Sequence, residues 1–308
     1  MEEEIYCKQL KTIYVEDNGL LSGPLFSDVE LYDGYHITIE QCGARTITVS
    51  NSKEVKAQEL YLILSRVVRL LMLFDGKFYT LKEMKFLESK KDSHRLDGYT
   101  TNLFNARLSY FESHSACGAK DSLCSFEEVF TPELYDKWVK LLEDLDISHQ
   151  VYLYSMSANK TPVDLKVAFL VELAEPLVEL VKNKTGEFKS LSPGKRGTSL
   201  KNCLDALITK YGHEIFEKEI KVDRDSFLQI LVNSRVRIMH IKNQQKGKHL
   251  DGNESVLYML KISFLYRHIL LSLLGIDGTE MTKQIKQSMN SLNNWNNVLG
   301  RLLIKMRE

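Results

Sequence analysis

The chain holds 308 residues, 44% hydrophobic and 27% charged, with a formal net charge of zero and no repeat or low-complexity tract. That composition gives a soluble globular protein with apolar mass for two ordinary domains, and it argues against a strongly basic nucleic-acid coat protein. The charge is unevenly spread, however: residues 1–159 carry 17 Lys+Arg against 25 Asp+Glu, and residues 160–308 carry 24 against 16, so −8 is followed by +8. A basic second half points to an anionic partner.

In chain order, residues 1–50 read as strands. Apolar and polar residues alternate in YHITIE and ARTITVS, with turn signals at Glu16-Asp17-Asn18-Gly19, Asp33-Gly34 and Gly43. A long helix follows from about Glu54 to Phe74, stopped by Asp75-Gly76. KFYTLKEMKFL and TNLFNARLSYFES read as further strands. Thr131-Pro132-Glu133 opens a helix to about Asp144, since Thr caps well and Pro suits a first turn. The first half is therefore α+β with a β-sheet.

The second half shows no strand pattern. Five helices are expected: Thr161-Pro162 to Lys182, Leu200 to Tyr211, Phe227 to Asn243, Glu254 to Leu274 and Met281 to Lys305. They would form an all-α bundle. A Gly/Pro/Ser/Lys-rich loop spans Asn183 to Ser199. The boundary is placed between Ser148 and Pro162, giving an α+β sensor or regulatory domain over 1–155 and a helical-bundle domain over 160–308. ELYLILSRVVRLLMLF and SVLYMLKISFLYRHILLSLLGI are apolar, but they hold Arg66, Arg69, Lys261, Arg267 and His268, so both are expected as buried helices with no membrane involved.

The five cysteines, Cys7, Cys42, Cys117, Cys124 and Cys203, are odd in number and irregularly spaced, and MEEEIY is acidic where a secretion signal is basic. A cytoplasmic location fits that pattern. His114, Cys117 and Cys124 do not have zinc-ligand spacing, and no cofactor is expected.

FLQILVNSRVRIMHIKN, Phe227 to Asn243, carries charge where a core helix needs none. At 100° per residue, Phe227, Ile230, Leu231, Ile238 and Ile241 fall within roughly 100° of arc and form the core stripe. Val232, Val236 and Met239 form a second apolar stripe on roughly the opposite side. Another helix or a second subunit must cover it. A two-fold seam there would bring two copies of Arg235 and His240 into one cleft. These two residues flank the stripe, about 140° apart on an ideal helix. Together they suit phosphate chemistry, the imidazole moving protons and the guanidinium binding and stabilising charge.

DLKVAFLVELAEPLVELV, SFLQILVNSRVRIMH with its Arg-x4-His, and LKISFLYRHILLSLLGI together resemble the HEPN superfamily, and more narrowly the Apea-like HEPN domain, over about residues 160–280. The first half resembles the family's proteins in layout alone. The resemblance implies a metal-independent endoribonuclease, homodimeric, in which the RNA 2′-hydroxyl attacks the adjacent phosphate and leaves a 2′,3′-cyclic phosphate. It makes His240 the general acid or base and Arg235 the phosphate holder. It also implies a toxin or anti-phage abortive-infection role, with RNA (tRNA in some members) as substrate. A phage-derived trigger or an antitoxin would act on the first domain.

One position departs from the pattern. The residue after the arginine is commonly polar, and here it is Val236. Asn233 and Arg237 are nearby substitutes, and Glu172 or Glu175 is a candidate to face the cleft. Lys195, Arg196, Lys242, Lys246 and Lys248 are candidate RNA-backbone contacts. The rival readings are a catalytically silent HEPN binding or scaffold module, and the toxin half of a two-gene pair held silent by its partner.

Overall fold

The computed structural model describes residues 5–15, 22–42, 44–76, 79, 81–87, 122–145, 147–157, 160–192, 198–240, 247–276, 278–292 and 295–307. The stretch TNLFNARLSYFES, the turn residues 16–19 and Gly43, and His114 and Cys117 lie outside them. The chain divides into two compact units, Met1–Ser115 with Ser125–Lys140, and Ala116–Cys124 with Leu141–Glu308.

The first unit is an antiparallel sheet with helices. Its strands are β1 (Tyr6–Val15), β2 (Ser22–Glu30), β3 (Tyr35–Cys42), β4 (Ala44–Lys56) and β5 (Lys82–Leu87), in the order β2-β3-β4-β1-β5. The alternation seen in the sequence sets the register. Ile37 faces Val49, Val49 faces Leu10, and Leu10 faces Phe86, which makes one inward row across four strands. All four side chains are buried. The β2–β3 turn puts Asp33 at φ 51° and Gly34 at φ 74°, the left-handed pair that matches the twist of a hairpin.

Helix α1 (Ala57–Asp75) lies on this sheet and ends where Gly76 takes φ 66°. Its start is three residues later than the sequence pattern suggests, because residues 54–56 extend β4. A short helix α2 (Phe126–Val129) and α3 (Pro132–Leu145) follow. Thr131 caps α3 as expected, its Oγ1 accepting the Leu134 N–H at 3.1 Å. Trp138 of α3 is fully buried and donates its Nε1–H to the Arg66 carbonyl of α1 at 2.9 Å.

The second unit is helical. Its elements are α4 (Ile147–Met156), α5 (Val163–Glu172), α6 (Ala174–Thr185), α7 (Leu200–Tyr211), α8 (Glu217–Met239), α9 (Gly252–Leu273), α10 (Thr279–Leu292) and α11 (Asn296–Arg307). Helix α9 is the central rod that the apolar sequence predicts. It is long and apolar enough to cross a membrane by length and composition, yet most of it is buried among the other helices. Two predicted helices are divided. The Thr161–Lys182 segment breaks at Leu173 into α5 and α6, because Pro176 has no N–H and its ring opposes the carbonyl of Glu172. The Met281–Lys305 segment breaks into α10 and α11.

Helix α4 occupies most of the stretch in which the sequence reading sets the domain boundary. It docks on α9 through aromatic groups: the Tyr152 and Tyr266 rings stack at 4.0 Å, His149 Nδ1 meets Tyr266 Oη at 3.0 Å, and Tyr152 Oη meets Ser263 Oγ at 2.9 Å.

Helix α8 is also interrupted. Asp223 is extended (φ −164°, ψ 97°), and its Oδ1 accepts the Ser226 N–H at 3.0 Å, so it caps the second half of the helix. Before the break, Glu219 is buried beside Lys261 of α9. Lys261 Nζ and Tyr258 Oη both donate to Glu219 Oε1, and Oε2 has no hydrogen-bond partner. Burial pushes the Lys261 ammonium below its usual range, while the Glu219 charge opposes that shift.

A buried ion pair of this kind is costly to break and cheap to replace. Lys261→Met alone should therefore lower stability by about 3–5 kcal/mol. The triple replacement Glu219→Leu/Tyr258→Phe/Lys261→Met should recover most of that loss in urea unfolding followed by far-UV circular dichroism. Equal losses in both variants would mean that the pair is not the source of the cost.

Candidate functional site

The site is built where α8 stops. The sequence pattern carries this helix to Asn243, but it ends at Met239 and His240 is its C-terminal cap (φ −102°, ψ 4°). The His240 N–H still bonds the Val236 carbonyl at 3.1 Å. The returning chain is held by two neighbours of Arg235. Ser234 Oγ, buried, donates to the Ile230 carbonyl at 2.7 Å and accepts the Leu250 N–H at 2.8 Å. Asn233 Nδ2 donates to the Lys248 carbonyl at 2.9 Å, and its Oδ1 accepts from Gln229 Nε2 at 2.9 Å.

With the helix ended, Arg235 and His240 meet. Arg235 Nη1 lies 3.2 Å from His240 Nε2, although an ideal helix would set the two about 140° apart. Guanidinium nitrogens only donate, so Nε2 accepts here and carries no proton in this arrangement. Across from it, Glu172 at the end of α5 grips the same guanidinium with both oxygens: Arg235 Nε to Oε2 is 2.5 Å and Nη2 to Oε1 is 2.9 Å. The hydrogen bonds it donates to Glu172 hold Arg235 above its usual range against partial burial, and the charges of Glu172 and Glu175 add to this. The side-on fork of the guanidinium is thereby filled. Glu172 leaves the end-on fork of Nη1 and Nη2, and His240 stands on one N–H of Nη1.

The remaining predicted residues fall as follows. Glu175, in the first turn of α6, contributes charge to the site while Glu172 makes the contact. Asn233 serves the loop return rather than the guanidinium. Arg237 is two residues beyond Arg235, about 200° around the helix and so on the far side. Val232 and Val236 are half-buried, and Met239 is 38% exposed. Ile238, expected in the core stripe, is also only half-buried, whereas Phe227, Ile230 and Leu231 are buried as expected. Lys248 is exposed. Ile241, Lys195, Arg196, Lys242 and Lys246 lie outside the described residues.

Sequence reasoning missed Ser234. Its signal was a small polar residue inside the apolar arc, one position before the arginine. Arg267, expected as a core residue, is buried with its guanidinium 5.2 Å from the Phe264 ring, and His268 Nδ1 bonds the Tyr211 carbonyl at 2.7 Å.

The helical C-terminal region matches the HEPN class of domain. More narrowly, residues 163–280 match the Apea-like HEPN family, and the N-terminal half has no family match. No curated protein and no solved structure matches the chain. Domains of this kind suggest a nuclease or RNA-related function in general.

Ser234→Ala would leave the Leu250 N–H buried without a partner, at a cost of about 1–3 kcal/mol. The expected result is a lower denaturation midpoint for the helical signal. An unchanged midpoint would show that Ser234 does not hold the return.

Proposed function

We infer that this protein is a metal-independent endoribonuclease. The observation that carries the reading is the Arg235–His240 contact at 3.2 Å, oriented by the two-oxygen grip of Glu172. The end-on fork of Arg235 suits two oxygens of a scissile phosphate. His240 Nε2, once the phosphate takes its place on the guanidinium, is an unprotonated nitrogen beside the reacting group. It can remove the proton of the 2′-hydroxyl as that oxygen attacks the phosphorus. The bond to the 5′-oxygen breaks, that oxygen takes up a proton, and a 2′,3′-cyclic phosphate and a 5′-hydroxyl remain.

The chain is proposed to act as a homodimer. The part-exposed stripe of Val232, Val236 and Met239 supports this, because no helix among the described residues fully covers it. A two-fold axis along the stripe would bring a second His240 into the cleft, one imidazole acting as base and the other as acid. A cytoplasmic toxin or anti-phage effector, with its first unit receiving a trigger or an antitoxin, is the setting proposed from the family. A second reading, a catalytically silent RNA-binding or scaffold module, is favoured by Val236, which brings no polar group to the turn after Arg235.

Purified protein incubated with total tRNA in EDTA should leave cyclic-phosphate ends. Arg235→Ala and His240→Ala should each lower the rate by about 100-fold or more. Intact RNA across several substrates, with the protein folded and dimeric, would favour the silent module. Val232→Glu or Val236→Glu should convert a dimer to monomer in sedimentation, and a dimer unchanged by both would place the seam elsewhere.

A further inference from the structure

The return of the chain from α8 to α9 is held from a third helix as well. Helix α11 lies beyond residues 163–280, the stretch that matches the family. It is docked by an apolar face, on which Val298, Leu299, Leu302 and Met306 are buried. Its last turn makes two polar contacts, one at each end of the path that shapes the Arg235–His240 site.

The first is at the start of the second half of α8, where Ser226 Oγ donates to the Met306 carbonyl at 3.2 Å. The second is at the return. Lys305 Nζ donates to the His249 carbonyl at 3.1 Å and to Glu254 Oε2 at 2.6 Å, with Asp251 Oδ2 at 3.5 Å. Glu254 is buried, and its Oε2 also accepts the Asp251 N–H at 3.3 Å in the capping box that starts α9. The part-buried ammonium is thus fixed between a carbonyl and a buried carboxylate, unlike an exposed surface pair that salt and side-chain motion weaken.

His249 stands between the two residues that tie the return to α8. The Lys248 carbonyl accepts from Asn233 at 2.9 Å, and the Leu250 N–H bonds Ser234 Oγ at 2.8 Å. Asn233 and Ser234 immediately precede Arg235. A displacement of the His249 carbonyl is therefore passed by these two bonds to the last turns of α8, where Arg235 and the capping His240 meet at 3.2 Å.

We propose that Lys305 is a positioning residue for the Arg235–His240 pair: by clamping the His249 carbonyl from α11 it fixes the return, and through it the imidazole against the guanidinium. Its effect on rate rests on the ribonuclease reading above, whereas its effect on the imidazole does not. His240 Nε2 accepts from Arg235, so the neutral ring carries its proton on Nδ1. A released imidazole has no such restriction and exchanges between both tautomers.

Long-range 1H–15N correlation spectra of the full chain report that tautomer once the pH is raised until the imidazole is neutral, with His240→Gln identifying the signal. The wild type should show His240 protonated on Nδ1. Lys305→Met should give mixed tautomers and lower kcat on RNA by about tenfold or more with KM little changed, and Lys305→Arg should restore most of both. Arg301→Met, which takes an exposed cation from the same helix, should alter neither. Lys305→Met leaves the buried Glu254 carboxylate without its cation, so Lys305→Met/Glu254→Gln is measured beside it; glutamine keeps the capping box, and the tautomers should again be mixed. A His240 signal or a kcat unchanged in these folded Lys305 variants overturns the proposal. So does the same change in Arg301→Met, or a wild-type His240 protonated on Nε2. An inactive wild type whose His240 tautomer still follows Lys305 overturns the ribonuclease reading and supports the positioning role.

Discussion

Ser234 Oγ takes the Ile230 carbonyl on one side and the Leu250 N–H on the other, and the site depends on that bridge. It ties the last turns of α8 to the start of α9, so the chain must leave the helix and return within a short span. Asn233 reinforces the return two residues earlier, at the Lys248 carbonyl, and Lys305 of α11 reaches the His249 carbonyl between them at 3.1 Å. Three consecutive residues of the return are thus held from two helices. A helix continuing to Asn243 would carry His240 away from Arg235, and the stop at Met239 lets the imidazole swing back to the guanidinium.

The Glu172 contact has two opposed effects. It fixes the guanidinium plane, which a long arginine side chain would otherwise sample freely, and so removes an ordering cost from substrate binding. It also supplies a negative charge that a phosphate must tolerate. Geometry decides between them, because the carboxylate occupies the side-on fork and leaves the end-on fork to an incoming anion. Pro176 ends α5 at Glu172, so the carboxylate stands on the last residue of that helix, against Arg235.

Much of this could be read from residues in sequence. The period-two rows of β3 and β4, the Thr131-Pro132 start of α3 and the apolar α9 are local patterns, and local patterns survive folding when burial agrees with them. The Arg235–His240 pair was legible as residue types and spacing. Its contact was not, because the ideal-helix angle holds only while the helix continues, and the stop is tied to Leu250, sixteen residues on from Ser234. Glu172 and Glu175 were indistinguishable for a similar reason: three residues apart on a helix they are near-neighbours, and only the contact with Arg235, more than sixty residues on, picks out Glu172. Helix α4 was hidden because its aromatic residues show their purpose only against Tyr266 and Ser263, more than a hundred residues away.

The charge asymmetry of the chain takes on a different meaning once Arg235 is seen. The second half is basic overall, yet at the candidate site the guanidinium is matched by Glu172, with Glu175 adding negative charge nearby. Long-range attraction at Arg235 is therefore weak, and what the site offers a phosphate is oriented donors at short range. A polyanion approaching it must be drawn by cations elsewhere on the domain, where Lys248 stands exposed beside the helix end. In the proposed function, capture and positioning thus fall to different residues: a charge change at Lys248 would act on encounter and one at Glu172 on alignment.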